Sequence, residues 1–133
     1  VNIKSAEEYQ IIQLFNAWRV DLIVLAGWMR IVSPKLIAAF PNRIINLHPS
    51  LLPKYKGLHA IEQALNSGDD VTGVSVHYVN EELDGGEVIL QEEVPILPED
   101  SVESLTKVIQ RKEYDLLPRA IEYVKQRNQI SVN

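Results

Sequence analysis

Apolar positions in this chain recur with two periods, and the switches between them mark out the elements. Ile11, Ile12, Leu14, Phe15 and Trp18 fall at helical spacing behind Ser5 and Glu8, whose separation reads as a capping box. That spacing predicts an amphipathic helix. Residues 22–26 form a short run rich in branched side chains and closed by Gly27, the pattern of a parallel strand covered on both faces. Ser33 and Pro34 supply a cap and a first-turn proline for a second helix, which must stop before Pro41. Residues 43–47 make another short apolar strand, running into His48-Pro49, where the proline keeps His48 extended. A short helix is expected over 58–65, stopped by Ser67-Gly68.

Residues 73–79 alternate one by one, and 88–94 read as a further strand joined to them through Leu83-Asp84-Gly85-Gly86. Asp100-Ser101 cap a long helix expected to reach Leu117, where Pro118 should kink it or start a new segment to about residue 125. This order predicts an α/β sandwich with a mainly parallel open sheet. No repeat, low-complexity tract or long linker divides the chain, so a single domain over 1–133 is expected.

Composition narrows the chemistry. The 133 residues are 46% apolar and carry a net charge of -5, enough for a real core but without a general attraction for nucleic acid or anionic membrane. Neither is expected as a partner. The longest apolar stretch, 22–29, is far below the ~20 residues of a membrane-spanning helix, and no secretory leader is visible. A soluble, cytoplasmic protein is therefore expected. Cysteine is absent, which removes thiolate nucleophiles and sulfur-ligated metals. The first residue is Val1 and it opens in mid-pattern, so a fragment of a longer product is expected.

The segment 44–57, I-I-N-L-H-P-S-L-L-P-K-Y-K-G, is the most informative. Strand alternation projects Asn46 and His48 to the same side, at the carboxyl end of a strand, where open α/β sheets place ligands. An amide donor beside an imidazole suits addition to a carbonyl, in which negative charge develops on oxygen. Spacing alone favours the plainer alternative, an Asn that ends a strand and an ordinary loop His. Asp84 is a natural carboxylate partner that would hold His48 protonated, although Asp84-Gly85-Gly86 is also an ordinary hairpin turn. His77 reads as a hydrogen-bonded core residue or a support for the site, and His59, near a helix start, as a structural or surface residue. Three scattered His without an HExxH or paired-carboxylate pattern argue against a metal. Gly27-Trp28-Met29-Arg30 could hold a flat ligand or simply pack in the core. Lys54 and Lys56 could meet an anion or stay solvated, and Gln110 and Glu113 share one helical face.

Taken together, L-A-G-W-M-R-I-V at 25–32, N-L-H-P-S-L-L-P-K-Y-K-G at 46–57 and L-D-G-G at 83–86 closely resemble the phosphoribosylglycinamide formyltransferases, a folate-dependent formyltransferase family. The likeness runs from about residue 5 to 125. It implies a mostly parallel, Rossmann-like sheet, with this chain forming the C-terminal portion of a formyltransferase domain. It implies formyl transfer from 10-formyltetrahydrofolate, as cosubstrate, to the amine of phosphoribosylglycinamide in purine biosynthesis. It also implies that Asn46 donates to the formyl oxygen, that His48 is the proton donor, and that Asp84 raises the pKa of the histidine. Met29, Arg30, Ile31 and Val32, with Asn46 and the loop of Asn80, Glu81, Glu82, Leu83 and Asp84, would bind the folate. Gln110, Arg111, Lys112 and Glu113 would contact the glycinamide substrate.

Two departures accompany the likeness. The family begins with a strand and a Gly-rich turn that grips the ribose phosphate, and nothing in 1–20 matches it; the resemblance and the length of a βαβ unit imply either about 60 further upstream residues or a fragment that needs help to fold and binds its substrate poorly. A basic folate contact before the first helix stands here as Ala6, with Lys4 as a stand-in. The rival readings are a formyltetrahydrofolate deformylase, in which water replaces the amine, and a non-catalytic fragment that binds folate. A methionyl-tRNA formyltransferase fits less well, because the acidic chain shows no basic surface for RNA.

Overall fold

In a computed structural model, residues 5–17, 19, 21–26, 33–82 and 84–128 are described. The elements run α1 (Ser5–Ala17), β1 (Ile23–Ala26), α2 (Pro34–Ala39), β2 (Ile44–His48), α3 (Ala60–Ser67), β3 (Val71–Tyr78), β4 (Val88–Pro95) and α4 (Val102–Asn128). The signals that predicted them act locally. The Ser33 hydroxyl accepts from the Leu36 N–H at 3.4 Å, with Pro34 in the first turn of α2. Gly68, at φ 83°, ends α3 in the left-handed conformation.

The strands form one open sheet in the order β1-β2-β3-β4. The α/β class is as expected, but the sheet is not mainly parallel. β1 pairs with β2 in parallel, whereas β2 with β3 and β3 with β4 are antiparallel. The reason lies in the connections. A short link through Gly85-Gly86 can only make a hairpin. The chain also doubles back after β2, where the Ser50 N–H bonds the His48 carbonyl at 2.9 Å.

Helices cover the two faces unequally. On one face Leu105, Ile109, Leu116, Ala120 and Val124 of α4 pack against Ile45, Leu47, Val74, Val76, Tyr78 and Val94. On the other, Ile23 and Ile44 meet Leu36 and Phe40 of α2, with Ile12 and Phe15 of α1 against them. Because strand side chains alternate, Asn46 and His48 must leave β2 on the α2 face, and Ser75 and His77 leave β3 on that same face. The register sets Asn46 opposite His77 and His48 opposite Ser75.

α4 runs without interruption through Pro118, so of the two expected outcomes, a kink or a new segment, no new segment starts there. Pro118 lies on the exposed side of the helix, where water can satisfy the Tyr114 carbonyl that loses its N–H partner. Leu116 and Ala120, both fully buried, hold the helix to the sheet on either side of it.

Candidate active site

Four buried polar side chains meet on the α2 face beside the carboxyl end of β2: Asn46, His48, His77 and Asp84. Such groups persist in an apolar interior only when they are paired. The Asn46 Nδ2–H donates to His77 Nε2 at 3.3 Å, and the His77 Nδ1–H donates to the Tyr78 carbonyl at 2.8 Å. Asp84 lies between the two histidines, with Oδ2 at 3.4 Å from His48 Nδ1 and Oδ1 at 3.5 Å from His77 Nε2. The Gly57 N–H donates to Asp84 Oδ2 at 2.7 Å, and the His48 Nε2–H donates to the Tyr55 carbonyl at 2.7 Å. Asp84, far along the chain from Asn46 and His48, is thus brought together with them.

The hydrogen-bond inventory states what each group can do. Both ring nitrogens of His48 face acceptors, so a doubly protonated imidazolium satisfies both contacts and a neutral ring only one. Burial pushes the pKa of His77 below its ordinary value of 6.5, opposed by the Tyr78 carbonyl and the charge of Asp84, and reinforced by His48. A neutral His77 that spends Nδ1–H on Tyr78 presents Nε2 as the acceptor that Asn46 needs. Asn46 then retains a second amide hydrogen, and its Oδ1 is buried without a partner among the described residues. An unspent donor and acceptor on one buried amide are what a bound ligand would satisfy.

The loop between β2 and α3 frames the site. Ser75, fully buried, donates to the Ser50 carbonyl at 2.7 Å and accepts from the Leu52 N–H at 3.1 Å. Gln91 reaches the Leu52 carbonyl at 2.7 Å and the Ser75 hydroxyl at 3.0 Å. A cavity of about 210 Å³ opens beside this loop, lined in part by Pro49, Gly57, Ala60, Ile61 and Val102. A second, of about 240 Å³, is lined in part by Asn42, Val79, Asn80, Gly86 and Glu87.

The other candidates separate. Met29, Arg30, Ile31, Val32 and Leu83, with Gly27, Trp28 and Lys4, lie outside the described residues. Asn80, Glu81 and Glu82 form an exposed turn, in which the Asn80 side chain accepts from the Glu82 N–H at 2.8 Å. Lys54 is paired with Asp69 at 3.1 Å and Lys56 with Glu82 at 3.9 Å. His59 is on the surface, 4.0 Å from Glu62. Gln110, Arg111, Lys112 and Glu113 belong to α4, the helix on the far face of the sheet from His48. Lys112 bonds Glu92 at 3.2 Å, and burial raises the pKa of Glu113. Two contributors escaped residue-level reading, the Tyr55 carbonyl and the Gly57 N–H, because backbone groups carry no residue-type signature. Among the described residues no group of His, Asp and Glu is arranged to hold a metal ion, and no helix is long and apolar enough to cross a membrane.

The formyl transferase family model matches residues 1–121. The chain is 50% identical over 104 residues to phosphoribosylglycinamide formyltransferase of Haemophilus influenzae, covering 78% of this chain and 49% of that protein. It is 44% identical over 120 residues to the Escherichia coli protein of the same name, covering 90% and 57%. The crystal structure of phosphoribosylglycinamide formyltransferase from Bacillus halodurans matches with a TM-score of 0.84 at 47% identity, over 91% of this chain and 61% of that one. A formyltetrahydrofolate deformylase from Pseudomonas syringae matches with a TM-score of 0.85 at 31% identity, over 93% and 42%. The chain spans about half the length of the curated relatives it matches.

Proposed function

The chain belongs to the formyl transferase family, and from that premise we propose that it carries the catalytic centre of a phosphoribosylglycinamide formyltransferase. The observation that carries this reading is the buried meeting of Asn46, His48 and Asp84 on one face of the sheet. The amine of phosphoribosylglycinamide attacks the formyl carbon of 10-formyltetrahydrofolate, the cosubstrate, to give a tetrahedral adduct with its charge on oxygen. The free amide hydrogen of Asn46 and the imidazolium of His48 stabilise that oxygen, and the unpartnered Oδ1 of Asn46 receives an N–H of the attacking amine. As the bond from carbon to the folate nitrogen breaks, that nitrogen takes a proton from His48, and the surplus proton of the amine passes to the ring nitrogen so vacated, leaving both products neutral and His48 charged again. The Nε2–H now bonded to Tyr55 is the proton available for this handover, and Asp84 supports the charged ring.

A folate subsite at Met29, Arg30, Ile31, Val32, Asn80, Glu81, Glu82 and Leu83 rests on the family resemblance, and the burial of Asn46 and Asp84 beside His48 supports it. The family resemblance assigns Gln110 to Glu113 to the glycinamide substrate, although α4 lies on the face of the sheet away from His48 and the geometry adds no support to that assignment. With phosphoribosylglycinamide as substrate, a cytoplasmic site of action follows. A hydrolytic reading draws support from the deformylase match, and product analysis separates the two. Incubation of the protein with 10-formyltetrahydrofolate and phosphoribosylglycinamide should yield formylated glycinamide; release of formate alone would make it a hydrolase, and folate binding without either product a non-catalytic remnant.

A further inference from the structure

The loop that carries the Tyr55 carbonyl is held from a direction the mechanism does not use. Tyr55 adopts φ 56°, a left-handed conformation disfavoured for a residue with a Cβ, so something outside its own backbone must keep it there. One such hold is Asp69, whose Oδ2 accepts from the Tyr55 hydroxyl and from Lys54 Nζ, the latter at 3.1 Å; the Ser50 hydroxyl, which donates to the Lys54 carbonyl, is another. These two bonds, from Tyr55 first and Lys54 second, hold the Asp69 carboxyl below its usual pKa. Asp69 itself stands on firm ground. Its N–H donates to the Ser67 hydroxyl at 3.1 Å just past the Gly68 cap of α3, and the next residue, Asp70, accepts from the Ile96 N–H at 2.8 Å.

We propose that Asp69 is a positioning residue for His48, acting through Tyr55. The chain of contacts is short: Asp69 fixes the Tyr55 hydroxyl, the fixed tyrosine aims its own carbonyl, and that carbonyl holds the Nε2–H of the His48 ring. With Nε2 held, Nδ1 faces Asp84. The consequence for rate rests on the reading of His48 as the proton donor; the consequence for the ring does not.

The test is therefore twofold, in the full isotope-labelled chain. Tyr55→Phe removes one oxygen and Asp69→Ala removes the acceptor, while Asp69→Asn keeps an oxygen that can receive the tyrosine hydroxyl. In Tyr55→Phe and Asp69→Ala the His48 Nε2–H resonance should broaden and exchange faster with solvent. In Asp69→Asn it should persist. Where formyl transfer is measured, the first two variants should lose about tenfold in kcat with KM little changed, and Asp69→Asn should recover most of it. Should Asp69→Ala unfold, Tyr55→Phe still decides. An unchanged His48 resonance in Tyr55→Phe overturns the proposal, as does a loss in Asp69→Asn equal to that in Asp69→Ala. A protein that transfers no formyl group at all, yet shows the expected resonance changes, counts against the function and leaves the positioning intact.

Discussion

Oδ2 of Asp84 lies 3.4 Å from Nδ1 of His48, and both side chains are almost fully buried. Two ionisable groups withdrawn from water this completely are costly to leave alone, so each depends on the other and on backbone donors and acceptors around them. The Gly57 N–H on Asp84 and the Tyr55 carbonyl on His48 supply these, and both come from one loop.

His48→Ala and Asp84→Asn should each lower turnover by about 10²–10³, the usual cost of removing one donor to a developing oxyanion or the support of that donor. Steady-state formyl transfer measured beside far-UV circular dichroism checks this. Turnover close to the parent in a folded variant would remove both residues from the mechanism.

A second expectation concerns acid. Because burial depresses the pKa of His77 in the folded chain, the unfolded chain binds more protons once the pH drops below the ordinary value of 6.5. Stability should therefore be highest above 6.5 and decline as the pH falls from there towards the depressed folded value. Urea midpoints across that range should show the decline, and His77→Gln should flatten it. A slope unaltered by His77→Gln assigns the acid sensitivity to other groups.

Much of this arrangement was legible in the residues, for identifiable reasons. Ser33-Pro34, Ser67-Gly68 and the alternation of 73–79 are local signals, and the elements they announce are present. Asn46 and His48 share a face because strands have period two, which needs no tertiary knowledge. The direction of β3 is different in kind. It depends on how the loop after His48 turns back, and that turn is held by Ser75 and Gln91 from other strands. The meeting of Asp84 with His48 is likewise long-range, and here it was the family resemblance, not spacing, that singled out the acid. At Pro118 the helix continues because the freed Tyr114 carbonyl lies on the exposed side and the buried contacts of Leu116 and Ala120 outweigh the local cost of the ring, a tertiary balance that local sequence does not show.

Gly86 should tolerate no side chain. A Cβ there would lie 1.7 Å from the Tyr78 carbonyl oxygen, a backbone atom that cannot move aside cheaply. At Gly85 the nearest atoms belong to the flexible, exposed Glu82 side chain. Gly86→Ala should thus cost about 1–3 kcal/mol or more, the scale of forced overpacking, while Gly85→Ala costs less. Equal denaturation midpoints for the two variants would contradict the close approach.

Ser75→Ala should loosen the loop over His48. The hydroxyl is buried and serves the Ser50 carbonyl, the Leu52 N–H and Gln91 together, so its removal strands several groups at once. A loss of about 1–3 kcal/mol is the expected cost of buried polar groups left unmet. Faster amide exchange at Leu52 should accompany it, and an unchanged exchange rate there would show that the loop is held by other contacts.

Pro118→Ala should stabilise the chain. Proline in a helix interior is about 3 kcal/mol less favourable than alanine, because it lacks an N–H and crowds the preceding turn. In α4 the ring is exposed and the core contacts are made by Leu116 and Ala120, so exchanging it removes the penalty without opening a cavity. Alanine also restores a donor to the Tyr114 carbonyl. The gain should be smaller than the full penalty, since the helix has already adjusted around the ring and proline restricts the unfolded chain. A rise of ~1–2 kcal/mol in unfolding free energy, read from urea denaturation, is expected on that balance. A fall would mean that Pro118 sets a bend on which the packing of Leu116 and Ala120 depends.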